Sequence, residues 1–153
     1  ESNGKKAEFL EHVVESLGIG DTIVVCSRAE TAAHTPELRE GFDLVVSRAV
    51  ARLDILAELT LPFCRVGRLT VAQKGNDVHD EVRSAASAIE ALGGGNVTIT
   101  EIDLSYSDSI RTLVSIEKIE SVLKNTAEKN SNHAVIFLIN LNQLVIFFQK
   151  KHQ

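Results

Sequence analysis

Phe42-Asp43-Leu44-Val45-Val46-Ser47-Arg48-Ala49-Val50-Ala51 is the stretch on which the fold turns. Its middle, Asp43 to Ser47, is a short apolar run of the length of a fully buried strand. From Ala49 to Phe63 the Ala, Val and Leu residues fall at helical spacing, so a strand passes directly into a helix. The same unit recurs on both sides. Thr22 to Cys26 is a β-branched strand followed by Ser27-Arg28-Ala29-Glu30, and Leu69 to Gln73 is a strand ending at Lys74-Gly75. The helix that follows, Val78 to Leu92, stops at Gly93-Gly94-Gly95. Upstream, Phe9, Leu10, Val13, Val14 and Leu17 mark one face of a helix from Lys5 to Leu17, with Gly18 as its C-terminal cap. Downstream, Val97 to Ile102 and Ile110 to Ile119 alternate with period two and have no helix between them, the pattern of an antiparallel hairpin. Repeated strand-helix units closed by such a pair predict an α/β fold, an open and mostly parallel sheet with an antiparallel edge hairpin. Ligands bind such sheets at the carboxyl ends of the strands.

Composition limits the function. The chain has 153 residues, 44% hydrophobic and 24% charged, enough apolar material for one packed core. Aromatic residues make up only 5%, which leaves the core to Val, Ile, Leu and Ala. A formal charge of -5 argues against free-standing affinity for nucleic acid, because Lys and Arg must neutralise phosphates. Cys26 and Cys64 each lie in an apolar stretch and read as two reduced, structural thiols. The five histidines are scattered without metal-ligand spacing, so no metal site is expected.

The chain changes character after Lys124. Residues 125–133 are polar, whereas Ala134 to Phe148 is almost continuously apolar, AVIFLINLNQLVIFF. Fifteen residues that include Asn140, Asn142 and Gln143 fall short of the ~20 a membrane-spanning helix needs, so a buried or adhesive strand is the reading. The expected organisation is a domain over 1–124 and a divergent apolar tail over 125–153.

Three stretches carry a family resemblance: Glu1-Ser2-Asn3-Gly4-Lys5-Lys6-Ala7-Glu8-Phe9-Leu10, Ser27-Arg28-Ala29-Glu30 and, most specific, Phe42 to Ala51 with its Ser47-Arg48-Ala49. Two more, Ala72-Gln73-Lys74-Gly75 and Arg111 leading into Leu113 to Lys118, follow in the same order. In order and spacing they resemble the GidB (RsmG) family of ribosomal-RNA guanine-N7 methyltransferases over about Glu1 to Lys129. The resemblance implies a class I, Rossmann-like methyltransferase sheet and S-adenosylmethionine as cofactor. It implies small-subunit ribosomal RNA as partner and a setting in the bacterial cytoplasm or plastid stroma. It also implies N-terminal truncation, because the family's first strand and glycine-rich turn would precede Glu1. Loss of that strand would leave the strand at Asp43 to Ser47 with an open edge, which the apolar tail either covers or turns into a site of self-association. A full-length protein would be a monomer.

The resemblance also assigns roles. Glu1 would take the cofactor's ribose hydroxyls, Ala29 and Glu30 would line its adenine, and Arg48 would meet its carboxylate or a substrate phosphate. Lys74 and Arg111 would contact RNA. The bland alternatives are a charged terminus, a helix start, and solvated surface cations. Guanine N7 has an in-plane lone pair and no proton to lose, so no catalytic base is expected; alignment of N7, methyl carbon and sulfur in a water-poor crevice would carry the chemistry. The competing classes are an inactive fragment of such an enzyme and a non-catalytic α/β interaction module. On charge alone, the isolated chain should bind ribosomal RNA more weakly than about 1 µM at physiological salt. Submicromolar, salt-sensitive retention in a filter assay contradicts this.

Overall fold

The computed structural model describes residues 3–48, 51–75, 78–103, 110–122, 134–139 and 144–149. Helix α1, Gly4–Ser16, begins where the Asn3 side chain accepts a hydrogen bond from the Lys5 amide at 3.1 Å and ends at Gly18, whose φ of 61° suits a glycine. Strand β1 (Thr22–Val25) leads to the short α2 (Ala29–Ala32), and β2 (Phe42–Arg48) leads to α3 (Leu53–Thr60). Strand β3 (Cys64–Lys74) is followed by α4 (His79–Ala91) and by β4 (Gly94–Asp103) and β5 (Ile110–Lys118). The apolar tail supplies β6 (Ala134–Ile139) and β7 (Leu144–Gln149).

The seven strands form one sheet in the order β1-β7-β6-β2-β3-β5-β4. The tail hairpin thus lies inside the sheet: β6 runs parallel to β2, with Leu44 opposite Val135 and Arg48 opposite Ile139, and β7 joins the hairpin to β1. The expected antiparallel pairing of β4 with β5 is present. The expectation of a mostly parallel sheet is corrected. Among the described residues β2·β3 and β2·β6 are parallel, while β1·β7, β6·β7, β3·β5 and β4·β5 are antiparallel. The reason is connectivity. Two of the seven strands return by short connections, which permit only antiparallel pairing, and each then opposes its other neighbour as well.

One face of the sheet is covered by helices. Val45 and Ile136 pack with Ala29, Ala32, Leu59, Phe63 and Cys64, and further along the sheet Ala72, Val114 and Ile116 pack with Leu53, Leu56, Leu61, Val78 and Ile89. Phe42 and Phe63 meet edge to face with centroids 6.3 Å apart. On the opposite face Leu44, Val46, Val71 and Leu113 are only half-buried and Leu69 is exposed. Helix α1 also packs less completely than its periodicity suggests, with Phe9 and Leu17 exposed and only Ala7 buried. Its platform is β1, a four-residue edge strand too narrow to cover a thirteen-residue helix.

The amino end of β3 and the carboxyl end of β5 hold a buried polar cluster. Lys118 is 1% exposed; its ammonium donates to the Leu92 carbonyl at 2.5 Å and lies 3.7 Å from the Glu40 carboxylate, which accepts from the Ser121 hydroxyl at 2.9 Å. Burial holds the Lys118 pKa below the usual lysine range. Gly93, with φ at 72°, turns the chain here, and a Cβ on it would collide with the Glu120 carbonyl. The three consecutive glycines are therefore a close-packed corner at the amino end of the sheet.

The two thiols differ, which corrects the reading of both as buried. Cys64 is buried, and burial pushes its pKa from 9.0 up to about 12, whereas Cys26, just past the end of β1, is free and exposed. At mildly alkaline pH a thiol-specific reagent should label the exposed Cys26 readily and Cys64 far more slowly, because burial both hides the Cys64 thiol and disfavours its thiolate. Mass spectrometry of peptides from the native and urea-unfolded chain checks this. Equal native labelling of both thiols contradicts it.

Candidate anion-binding cleft at the carboxyl ends of the strands

The parallel pair β2 and β3 end side by side, with Arg48 opposite Gln73, and the antiparallel β5 begins beside them, with Thr112 opposite Lys74. Because side chains alternate along a strand, Arg48, Gln73 and Arg111 share one face of the sheet, and Lys74 points to the helical face. These ends border a cleft of about 320 Å³ lined by Arg48, Ala51, Leu56, Gln73, Lys74, Gly75 and Arg111. Three of the six site residues expected from sequence thus meet in one place. A second groove, about 540 Å³ between α1 and β1, is bordered by Glu11 and Glu15 and has the wrong sign for phosphate.

Within the cleft the three cations are not equivalent. Arg48 is exposed and Arg111 half-buried, and neither has a carboxylate partner among the described residues. Lys74 is mostly buried, and its ammonium donates to Glu81 Oε2 at 2.6 Å and to the Ala51 carbonyl at 2.7 Å. The same Glu81 oxygen accepts from the Leu53 amide, the first residue of α3, at 3.2 Å. One carboxylate from the first turn of α4 therefore joins the end of β3 to the start of α3. Both the surface-lysine and the free-ligand readings of Lys74 miss this arrangement.

Ala29 and Glu30 stand elsewhere. They open α2 after β1, with β7 and β6 between β1 and β2, and they do not line the Arg48 cleft. The Ala29 side chain is 1% exposed and belongs to the core beneath the sheet, while Glu30 is exposed. Glu1 lies outside the described residues. Sequence reasoning passed over Gln73, Gly75 and Glu81. Asp80 and Glu81 do advertise a helix start, since carboxylates favour the positive end of the helix dipole, but the sequence carries no sign of the ion pair to Lys74. No group of three or more potential metal-ligating side chains occurs among the described residues.

The described glycines bear on the implied cofactor. Those whose Cβ would be blocked, Gly41, Gly93, Gly94 and Gly95, all lie at the amino end of the sheet, and Gly75 at the carboxyl end has open space around it. A cofactor whose tail needs close backbone approach at the carboxyl ends finds no such crowded turn among the described residues. They do not fit the whole cofactor by themselves.

The chain is thus a mixed α/β protein with a candidate basic cleft at the carboxyl ends of its parallel strands, consistent with a methyltransferase fold. Comparison with known proteins gives the family. The family described as GidB, rRNA small subunit methyltransferase G, matches residues 1–114. Proteins named ribosomal RNA small subunit methyltransferase G are similar to the chain in several bacteria. The Caldicellulosiruptor bescii protein is 43% identical over 125 residues, 82% of this chain and 52% of that protein. That of Lactobacillus johnsonii is 44% identical over 124 residues, 81% and 52%, and that of Roseiflexus sp. strain RS-1 is 45% identical over 123 residues, 80% and 52%. The chain belongs to the GidB family of rRNA methyltransferases. It spans about half the length of the curated relatives it matches.

The geometry separates cleft arginines from structural ones. Arg65 donates to Asp43 at 2.7 Å and to the Gly41 carbonyl at 3.0 Å, and Arg68 approaches the same carboxylate at 3.0 Å. Arg65→Gln should cost about 1–3 kcal/mol of stability by removing the shorter of the two arginine contacts to the Asp43 carboxylate and the bond to the Gly41 carbonyl. Arg48→Gln and Arg111→Gln should each stay within about 0.5 kcal/mol of the parent. Urea denaturation of the three variants checks this, and a large loss in Arg48→Gln would make that residue structural.

Proposed function

We propose that this chain forms the substrate-facing part of a methyltransferase that transfers a methyl group from S-adenosylmethionine to guanine N7 in small-subunit ribosomal RNA. The observation that carries the reading is the convergence of Arg48 and Arg111 on one cleft at the carboxyl ends of the sheet. Two guanidinium groups without carboxylate partners among the described residues suit phosphate or carboxylate oxygens, to which Arg binds bidentately. Arg48 would meet the cofactor's carboxylate or a substrate phosphate, Arg111 would face the RNA with Lys74 bordering the same cleft in its pair with Glu81, and Ala29, Glu30 and Glu1 would belong to the adenine and ribose side. When bound, the cofactor supplies an electrophilic methyl group. The chain's own part is to hold the anionic backbone and to keep the base oriented beside Gln73 and Leu56 in a cleft with an apolar floor.

The place of action follows from the substrate, the bacterial cytoplasm or plastid stroma. No described helix is long and apolar enough to cross a membrane. The half-covered face with Leu44, Leu69 and Val71 supports self-association of this form. The glycine arrangement favours a second reading for the chain on its own, an inactive form that keeps the fold and the anion cleft without turnover.

The test is a radiolabelled methyl-transfer assay on unmethylated small ribosomal subunits, run beside the C. bescii relative. The chain alone is expected to give background incorporation while the relative transfers label to a guanine. Incorporation by the chain at the relative's level would overturn the inactive-form reading, and failure of both proteins would overturn the substrate assignment.

A further inference from the structure

We propose that Glu81, a residue outside every site assigned above, is a positioning residue that withholds Lys74 from the cleft's ligand. The inference rests on the RNA reading of the cleft. Lys74 has three ammonium hydrogens to place, and two are taken within the protein, by Glu81 Oε2 at 2.6 Å and the Ala51 carbonyl at 2.7 Å. The Lys74 side chain is 12% exposed and that of Glu81 35%, so solvent screens the pair from the Glu81 side and less from the Lys74 side. Glu81 is itself fixed from two sides, by the Leu53 amide at 3.2 Å and by its place in the first turn of α4. One hydrogen is left over, but a phosphate that draws on Lys74 must compete with the Glu81 carboxylate for its charge, whereas among the described residues Arg48 and Arg111 have no carboxylate to compete with.

The consequence is electrostatic. With Glu81 in place the cleft presents two cations to a ligand, not three, and this limits indiscriminate attraction of polyanions to an exposed cleft. Lys74 also ties the Ala51 carbonyl to the end of β3.

Counterion release gives a readout that loss of structure alone would not move. Each additional phosphate contact steepens the dependence of log K on log salt by about 0.7 for single-stranded RNA. The experiment measures binding of a short single-stranded RNA with small-subunit ribosomal sequence by fluorescence anisotropy, across a KCl series begun at low salt. Glu81→Gln retains an acceptor for the Leu53 amide but releases the Lys74 charge; it should bind more tightly at low salt, with a slope steeper than the parent by about 0.7. The double variant Glu81→Gln with Lys74→Gln should return to the parent slope. A Glu81→Gln slope equal to the parent's overturns the proposal, as does a double variant that stays steep. Arg48→Gln is the control for the underlying reading: an unchanged slope there removes RNA phosphate from Arg48 without touching the Glu81 result. Absence of binding by every protein in the series overturns both.

Discussion

The backbone of β2 is paired along both edges, to β3 on one side and to β6 on the other, and the placement of the cleft depends on this double pairing. Val45 and Ser47 are buried on the helical face, so an open edge at β2 would leave buried amides and carbonyls unsatisfied at roughly 1–3 kcal/mol each. Parallel register from Leu44 to Arg48 satisfies them and ends where Arg48 lies between Ile139 and Gln73. Strands β6 and β7, drawn from the apolar run after residue 133, are thereby internal strands of the sheet. Its hydrophobicity is the pattern of strands buried among others, and the hairpin bridges β2 to β1.

The two ends of the sheet use charge in opposite ways. At the amino end, charges are paired with one another: Lys118 with Glu40, and Asp43 with both Arg65 and Arg68. These contacts hold the corner formed by Gly93 and the chain entering β2. At the carboxyl end, Lys74 is tied down by Glu81, while Arg48 and Arg111 have no carboxylate partner among the described residues. An acidic chain, with a net charge of -5, can thus carry one locally basic cleft. The division places the anion-binding surface where open α/β sheets bind ligands, and it leaves the opposite end to stability.

Much of this was legible in the sequence because it depends on local pattern. The helices from Lys5 and from Val78 were readable from apolar spacing and glycine stops, and the strand at Asp43 to Ser47 from its unbroken apolar run. The β4-β5 hairpin was readable from period-two alternation. Strand direction was not. Whether the tail runs with or against β2 depends on long-range pairing, and a short connection between β6 and β7 reverses the second strand. At the cleft, Arg48, Lys74 and Arg111 could be named because each stands at a strand end. The Lys74 to Glu81 pair spans the connection between β3 and α4, and nothing in either residue's neighbours announces it. The exposure of Cys26 escaped notice for a related reason: it follows an apolar strand by one residue, and burial ends with the strand.

The central claim is that the C-terminal apolar hairpin completes the sheet beside β2. Amide hydrogen exchange, resolved by residue in the intact chain, tests it most directly. The account predicts that the amides of 135–139 that bond to β2 exchange as slowly as those of Leu44 to Arg48, because the two sets open together. Exchange of 134–139 at unprotected rates, with β2 still protected, would contradict it.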